Sequence, residues 1–67
     1  MKVFAERLKE LRIEKKISQE MLAKEIGSSR SAISFWESAK KVPGFDVVIK
    51  ISEFFGVSLE YLAGKED

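Results

Sequence analysis

Apolar side chains recur along this chain at steps of three and four residues, and no window alternates with the period of two that a strand needs. Phe4, Leu8 and Leu11 mark one face of a first helix, with Glu6, Arg7, Lys9, Glu10 and Glu14 on other faces. One further step from Leu8 reaches Arg12, a charge where the stripe calls for an apolar residue. Ser18 precedes Gln19-Glu20-Met21-Leu22-Ala23, so its hydroxyl can cap a second helix while Glu20 complements the positive end of the helix dipole. Gly27 stops that helix, and either of the serines at 28 and 29 can cap a third, running through Arg30, Ile33 and Trp36 to about Ser38. Lys40-Lys41-Val42-Pro43-Gly44 reads as a loop, because Pro43 restricts Val42 and cannot sit inside a helix. A fourth helix starts near Phe45, turns Val48, Ile51 and Phe55 one way, and ends at Gly56. Ser58 caps a last short helix through Leu62, with Gly64 behind it. The pattern predicts an all-α fold of five short helices, without internal repeats or low-complexity segments.

A chain of 67 residues builds one domain, spanning 1–67, and buries only about 60% of the surface it exposes when unfolded. With 45% hydrophobic and 34% charged residues it has the side chains for a core and too little charge imbalance for disorder. It contains neither cysteine nor histidine. Disulfides, thiolate or imidazole metal sites, cysteine nucleophiles and a Ser-His-Asp triad are therefore excluded. The remaining carboxylates are spread over helix surfaces with no paired set, so no enzyme is expected, and no cofactor or metal. No apolar run approaches the roughly 20 residues of a membrane span, and the start of the chain lacks the apolar stretch of a signal peptide, so a cytoplasmic protein is expected. The net charge of +1 hides an asymmetry. Residues 1–43 carry ten Lys/Arg against six Asp/Glu, whereas residues 44–67 carry two against five. The N-terminal part is the half suited to face phosphates.

Between Gln19 and Ser38 the spacing is specific: small Ala23 four residues after Gln19, Gly27 four later, then Ile33 and Trp36. Two short helices crossing at a steep angle need a small residue where their backbones approach, a glycine where the turn takes positive φ, and apolar residues on the inner face of the second helix. By themselves those four residues only make a helix corner, which many bundles without DNA partners also contain. The outer face of the third helix discriminates. Arg30, Ser31, Ser34 and Phe35 point away from Ile33 and Trp36, whereas a merely solvated face more often carries Glu and Lys with few small residues.

The run from Ser18 to Ala23, together with Gly27-Ser28-Ser29-Arg30-Ser31-Ala32-Ile33-Ser34-Phe35-Trp36-Glu37, resembles the Cro and phage-repressor helix-turn-helix family. Val57-Ser58-Leu59-Glu60-Tyr61-Leu62 is similar to that family's closing segment, and with Phe4 to Arg12 the likeness covers nearly the whole chain. The resemblance implies a compact five-helix bundle, with the helix-turn-helix proper at 19–38, and a transcriptional regulator that binds operator DNA, usually as a dimer. Two positions depart from the family pattern. Ser38-Ala39 stands where the third helix usually ends in Asn-Gly, and Phe35 stands where many members carry a polar or basic residue.

Carried onto this chain, the resemblance makes Ser29, Arg30, Ser31, Ser34 and Phe35 the base-reading residues. Gln19, Lys40 and Lys41 become the phosphate contacts, helped by backbone amides at the start of the second helix. Arg30 can fork onto guanine O6 and N7 or hold a phosphate. Phe35 can pack on a thymine methyl or join the core beside Trp36. The resemblance also implies that Arg12 pairs with Glu37, and the cost of an unpaired buried charge argues the same way against two independent surface charges. Val47, Phe54, Leu59 and Tyr61 are candidates for a two-fold apolar seam, or simply widen a small core. The expected partners are double-stranded DNA and a second copy of the chain at least on DNA, with no membrane and no evident small-molecule ligand. A repressor on a palindromic operator is the simplest function. An antitoxin-like protein-interaction module that touches DNA secondarily is the alternative.

Overall fold

The computed structural model describes residues 2–65. Five helices follow one another: α1 (Lys2–Glu14), α2 (Gln19–Ile26), α3 (Arg30–Glu37), α4 (Phe45–Phe55) and α5 (Leu59–Ala63). Local chemistry sets most of the boundaries. Ser18, Ser29 and Ser58 each hold extended backbone ahead of a helix, and each hydroxyl accepts from the amide three residues on, at 3.0, 3.1 and 3.0 Å. Of the two serines after Gly27, Ser29 is therefore the cap.

Each helix contributes one wholly buried side chain to a single shared core: Leu8, Leu22, Ile33, Ile51 and Leu62. Full burial of such a side chain stabilises the fold by about 1.5–3 kcal/mol, so no helix can leave without a penalty comparable to a large part of a small domain's stability. Phe4, Ala23, Ile26 and Trp36 complete the core, with Val47, Val48, Phe54 and Phe55 of α4 packed half-buried against it.

The corner between α2 and α3 is fixed by Gly27, whose φ is +71°. The amide of Ser28 reaches back to the Ala23 carbonyl at 2.8 Å, which closes the end of α2. A side-chain carbon added at Gly27 would meet nothing within 4 Å, so glycine is favoured here by backbone angle and not by space. Ala23, 4% exposed, lets the two helices approach.

Two helix ends close without glycine. α1 closes at Lys16, with φ +61°, and the amide of Ile17 returns to the Arg12 carbonyl at 3.3 Å. α3 closes at Ala39, with φ +63°, and the amide of Lys40 returns to the Phe35 carbonyl at 3.0 Å. Both make the same left-handed closure as Gly27, at a steric cost of about 1 kcal/mol each that glycine would not incur. Ser38-Ala39 thus gives α3 the geometry of a glycine exit without the glycine.

Candidate nucleic-acid interface

α3 turns Ile33 and Trp36 inward and leaves its other face in water. Arg30, Ser31, Ser34 and Phe35 together line one shallow depression on that face. Their spacing explains it. Arg30 with Ser34, and Ser31 with Phe35, are neighbouring pairs one turn apart, so the two small serines form a floor between a guanidinium and a ring. Phe35 is 40% exposed and does not join the core beside Trp36. The Lys41 ammonium lies 5.0 Å from the Phe35 ring centroid, and the Ser38 hydroxyl donates to the Phe35 backbone carbonyl at 3.2 Å. Lys40 and Lys41 are both exposed on the segment leaving α3.

Ser29 lies one residue ahead of α3, exposed, with its hydroxyl already accepting from the Ala32 amide. Gln19 opens α2 half-buried, and its side-chain nitrogen donates to Glu37 Oε1 at 3.1 Å. That internal bond takes one of the two donors of the amide group that sequence reasoning assigned to phosphate.

Arg12 and Glu37 meet across α1 and α3. Arg12 Nε donates to Glu37 Oε2 at 2.7 Å and Nη2 to Oε1 at 3.1 Å, a two-pronged contact, while Nη1 donates to the Ile17 carbonyl at 2.9 Å. The side chains are 13% and 4% exposed, respectively. With Gln19 added, one network ties α1, the start of α2 and the end of α3 together, which fixes the orientation of the exposed α3 face relative to the bundle.

The four seam candidates have different surroundings. Val47 and Phe54 pack half-buried against the core, and the Lys15 ammonium stands 5.0 Å from the Phe54 ring centroid. Leu59 borders an apolar groove with Val42, Pro43 and Val48. The Tyr61 ring is covered by the Arg7 guanidinium at 4.2 Å, and Arg7 also donates to the Tyr61 carbonyl. Sequence reasoning missed this Arg7 clasp, the Gln19 bond and the Lys41 contact. None has a periodic signature: the first two join helices whose relative placement appears only after folding, and the third depends on the left-handed turn at Ala39 that ends α3.

Among the described residues no group of three or more Asp or Glu side chains is placed to hold a metal ion. Nor, among those residues, is any helix long and apolar enough to cross a membrane.

Comparison with known proteins follows the same line as the geometry. A family model described as a helix-turn-helix matches residues 8–62. The chain is 45% identical over 64 residues to the transcriptional activator BcrR of Enterococcus faecalis, covering 94% of this chain and 31% of that protein. It is 39% identical over 61 residues to a helix-turn-helix-type transcriptional regulator of Methanocaldococcus jannaschii, covering 91% of this chain and 92% of that one. The chain spans between about a third and three-fifths of the length of BcrR and two further curated relatives it matches. The crystal structure of the P22 c2 repressor bound to a synthetic operator superposes with a TM-score of 0.89 at 32% identity, covering 94% of this chain and 96% of that one. The chain belongs to the helix-turn-helix family, and its fold is that of the phage-repressor type of DNA-binding domain.

Proposed function

We propose that this chain is a sequence-specific regulator of transcription that binds double-stranded DNA through the major groove, most simply a repressor acting as a dimer on a palindromic operator. The observation that carries this reading is the exposed α3 face, where Arg30, Ser31, Ser34 and Phe35 share one depression with Lys40 and Lys41 at its exit. Helix-turn-helix proteins set the N-terminal part of this helix into the groove. Arg30 is then the long donor for guanine, the serines at 29, 31 and 34 reach shorter distances, and Phe35 packs on a thymine methyl. Lys40, Lys41, Gln19 and the amides opening α2 take phosphates. Arg12 and Glu37 are structural and hold α3 at its working angle.

Support also comes from the P22 c2 repressor, which was crystallised on an operator and shares the fold. The seam for a second copy draws on Val47, Phe54, Leu59 and Tyr61. With DNA as its partner, the chain acts in the cytoplasm. Activation is a second reading, favoured by the 45% identity to an activator.

Selection of bound duplexes from a random pool tests the proposal, because affinity, half-site sequence and symmetry are reported together. Enrichment of an inverted repeat supports it; recovery of no common sequence overturns it. Sedimentation with and without the selected duplex then reads the number of copies bound, and one copy per inverted repeat would refute the dimer.

A further inference from the structure

Resting on the reading that α3 enters the major groove, we propose that the depression between Arg30 and Phe35 reads two adjacent base pairs, one presenting a C5-methylated pyrimidine and the other a guanine. It accepts 5-methylcytosine as it accepts thymine, which makes binding responsive to cytosine methylation.

The argument begins with what each wall can sense. A phenyl ring has no donor or acceptor, so in a groove it distinguishes bases by their apolar substituents alone, and the C5-methyl group is the apolar substituent that the major groove presents. Thymine carries it on an A·T pair, and 5-methylcytosine carries the same group at the same ring position on a G·C pair. Ser31 and Ser34 form the floor with short hydroxyls that serve as donors or acceptors, so they fit either the O4 of thymine or the N4 of cytosine. Nothing lining the depression excludes methylcytosine while admitting thymine.

Arg30 reads the second base pair. Its planar fork matches guanine O6 and N7. Arg30 and Phe35 border the same depression, five residues and so about 7.5 Å apart along the helix, which leaves a base pair adjacent to the one at the ring within reach of the long Arg30 side chain. The Lys41 ammonium stands beside the ring, and the hydrogen bonds on the Phe35 carbonyl fix the backbone that carries it, which lowers the ordering cost of using the apolar wall.

The test uses the whole chain and the duplex recovered from the random pool, with that pyrimidine made in four forms: thymine, uracil, cytosine and 5-methylcytosine. Adding the methyl group should tighten binding about fourfold in both pairs, thymine over uracil and methylcytosine over cytosine. In Phe35→Ala both ratios should fall to one, while binding to a random duplex stays as in the parent, which shows that the variant is folded. Arg30→Ala should lose about tenfold at the guanine and keep both methyl ratios. Methyl ratios of one in the parent, ratios that survive Phe35→Ala, or a recovered half-site without two such base pairs side by side would each overturn the inference while leaving DNA binding intact. Failure to recover any sequence would remove the functional reading beneath it as well.

Discussion

Replacing Arg12 by alanine removes three hydrogen bonds at once and leaves a carboxylate almost without water. Glu37 is 4% exposed at its side chain, and of its partners only the Gln19 amide at 3.1 Å would remain. The Ile17 carbonyl would lose its donor too. Breaking a buried ion pair by deleting one partner costs about 3–5 kcal/mol, most of it for the charge left behind. Arg12 itself is 13% exposed, so water can enter part of the vacated volume and the lower end, about 3 kcal/mol, applies. A chain of 67 residues has about 3–10 kcal/mol in all. The variant should therefore melt roughly 12–24 °C below the parent, read by circular dichroism at 222 nm. A second variant separates lost attraction from stranded charge: Arg12→Met with Glu37→Leu fills the space with apolar groups and should melt well above Arg12→Ala alone. An Arg12→Ala protein melting within about 2 °C of the parent would refute the reasoning, because it would mean Glu37 is solvated or satisfied without its partner.

The left-handed residues at helix ends give opposite predictions from one cause. Ala39→Gly and Lys16→Gly each relieve about 1 kcal/mol of steric cost, partly offset by the greater freedom of an unfolded glycine, so each should raise the melting temperature by roughly 2–4 °C; a decrease would contradict the backbone angles. Gly27→Ala meets open space and should lose only about 1 kcal/mol, whereas Gly64→Ala would bring its new carbon to 2.7 Å from Val3 Cγ1 and should lose more, with Val3→Ala restoring the difference in melting temperature. Ile33→Ala empties the centre of the core and should cost about 2–5 kcal/mol in chemical denaturation, enough to leave a large unfolded fraction at 37 °C. Lys41→Ala should reduce the slope of log affinity against log salt by about one while keeping the base preference, and an unchanged slope would remove Lys41 from the interface.

Most of the architecture is written in short-range chemistry. Ser18, Ser29 and Ser58 are capping residues with a hydroxyl at the right place, and Gly27, Gly56 and Gly64 all take positive φ, so six helix starts or stops, the steep corner at Gly27 among them, follow from residue identity alone. The end of α1 is not legible in the same way. Lys16 adopts the glycine angle because the chain must turn toward α2, a requirement imposed by packing and not by lysine. Within the site, the outward set on α3 is a matter of helical phase and could be read from the pattern. Phe35 could not be settled by phase, since a residue at the edge of the face falls in core or water according to how α3 tilts; the structure leaves it exposed beside Lys41. Gln19 shows the same limit from the other side, a residue whose position at a helix start suits phosphate but whose amide is drawn to Glu37 by a network assembled from three helices.

The central claim is that the outer face of α3 reads base edges, and the ratio of specific to non-specific affinity in Arg30→Ala tests it most directly. Both affinities are measured by fluorescence anisotropy at one salt concentration, on the selected duplex and on a scrambled duplex of equal length. A reading role predicts that specific affinity falls about tenfold while scrambled binding changes by less than about twofold, so the ratio collapses. Equal losses on both duplexes would make Arg30 a phosphate contact and contradict the claim.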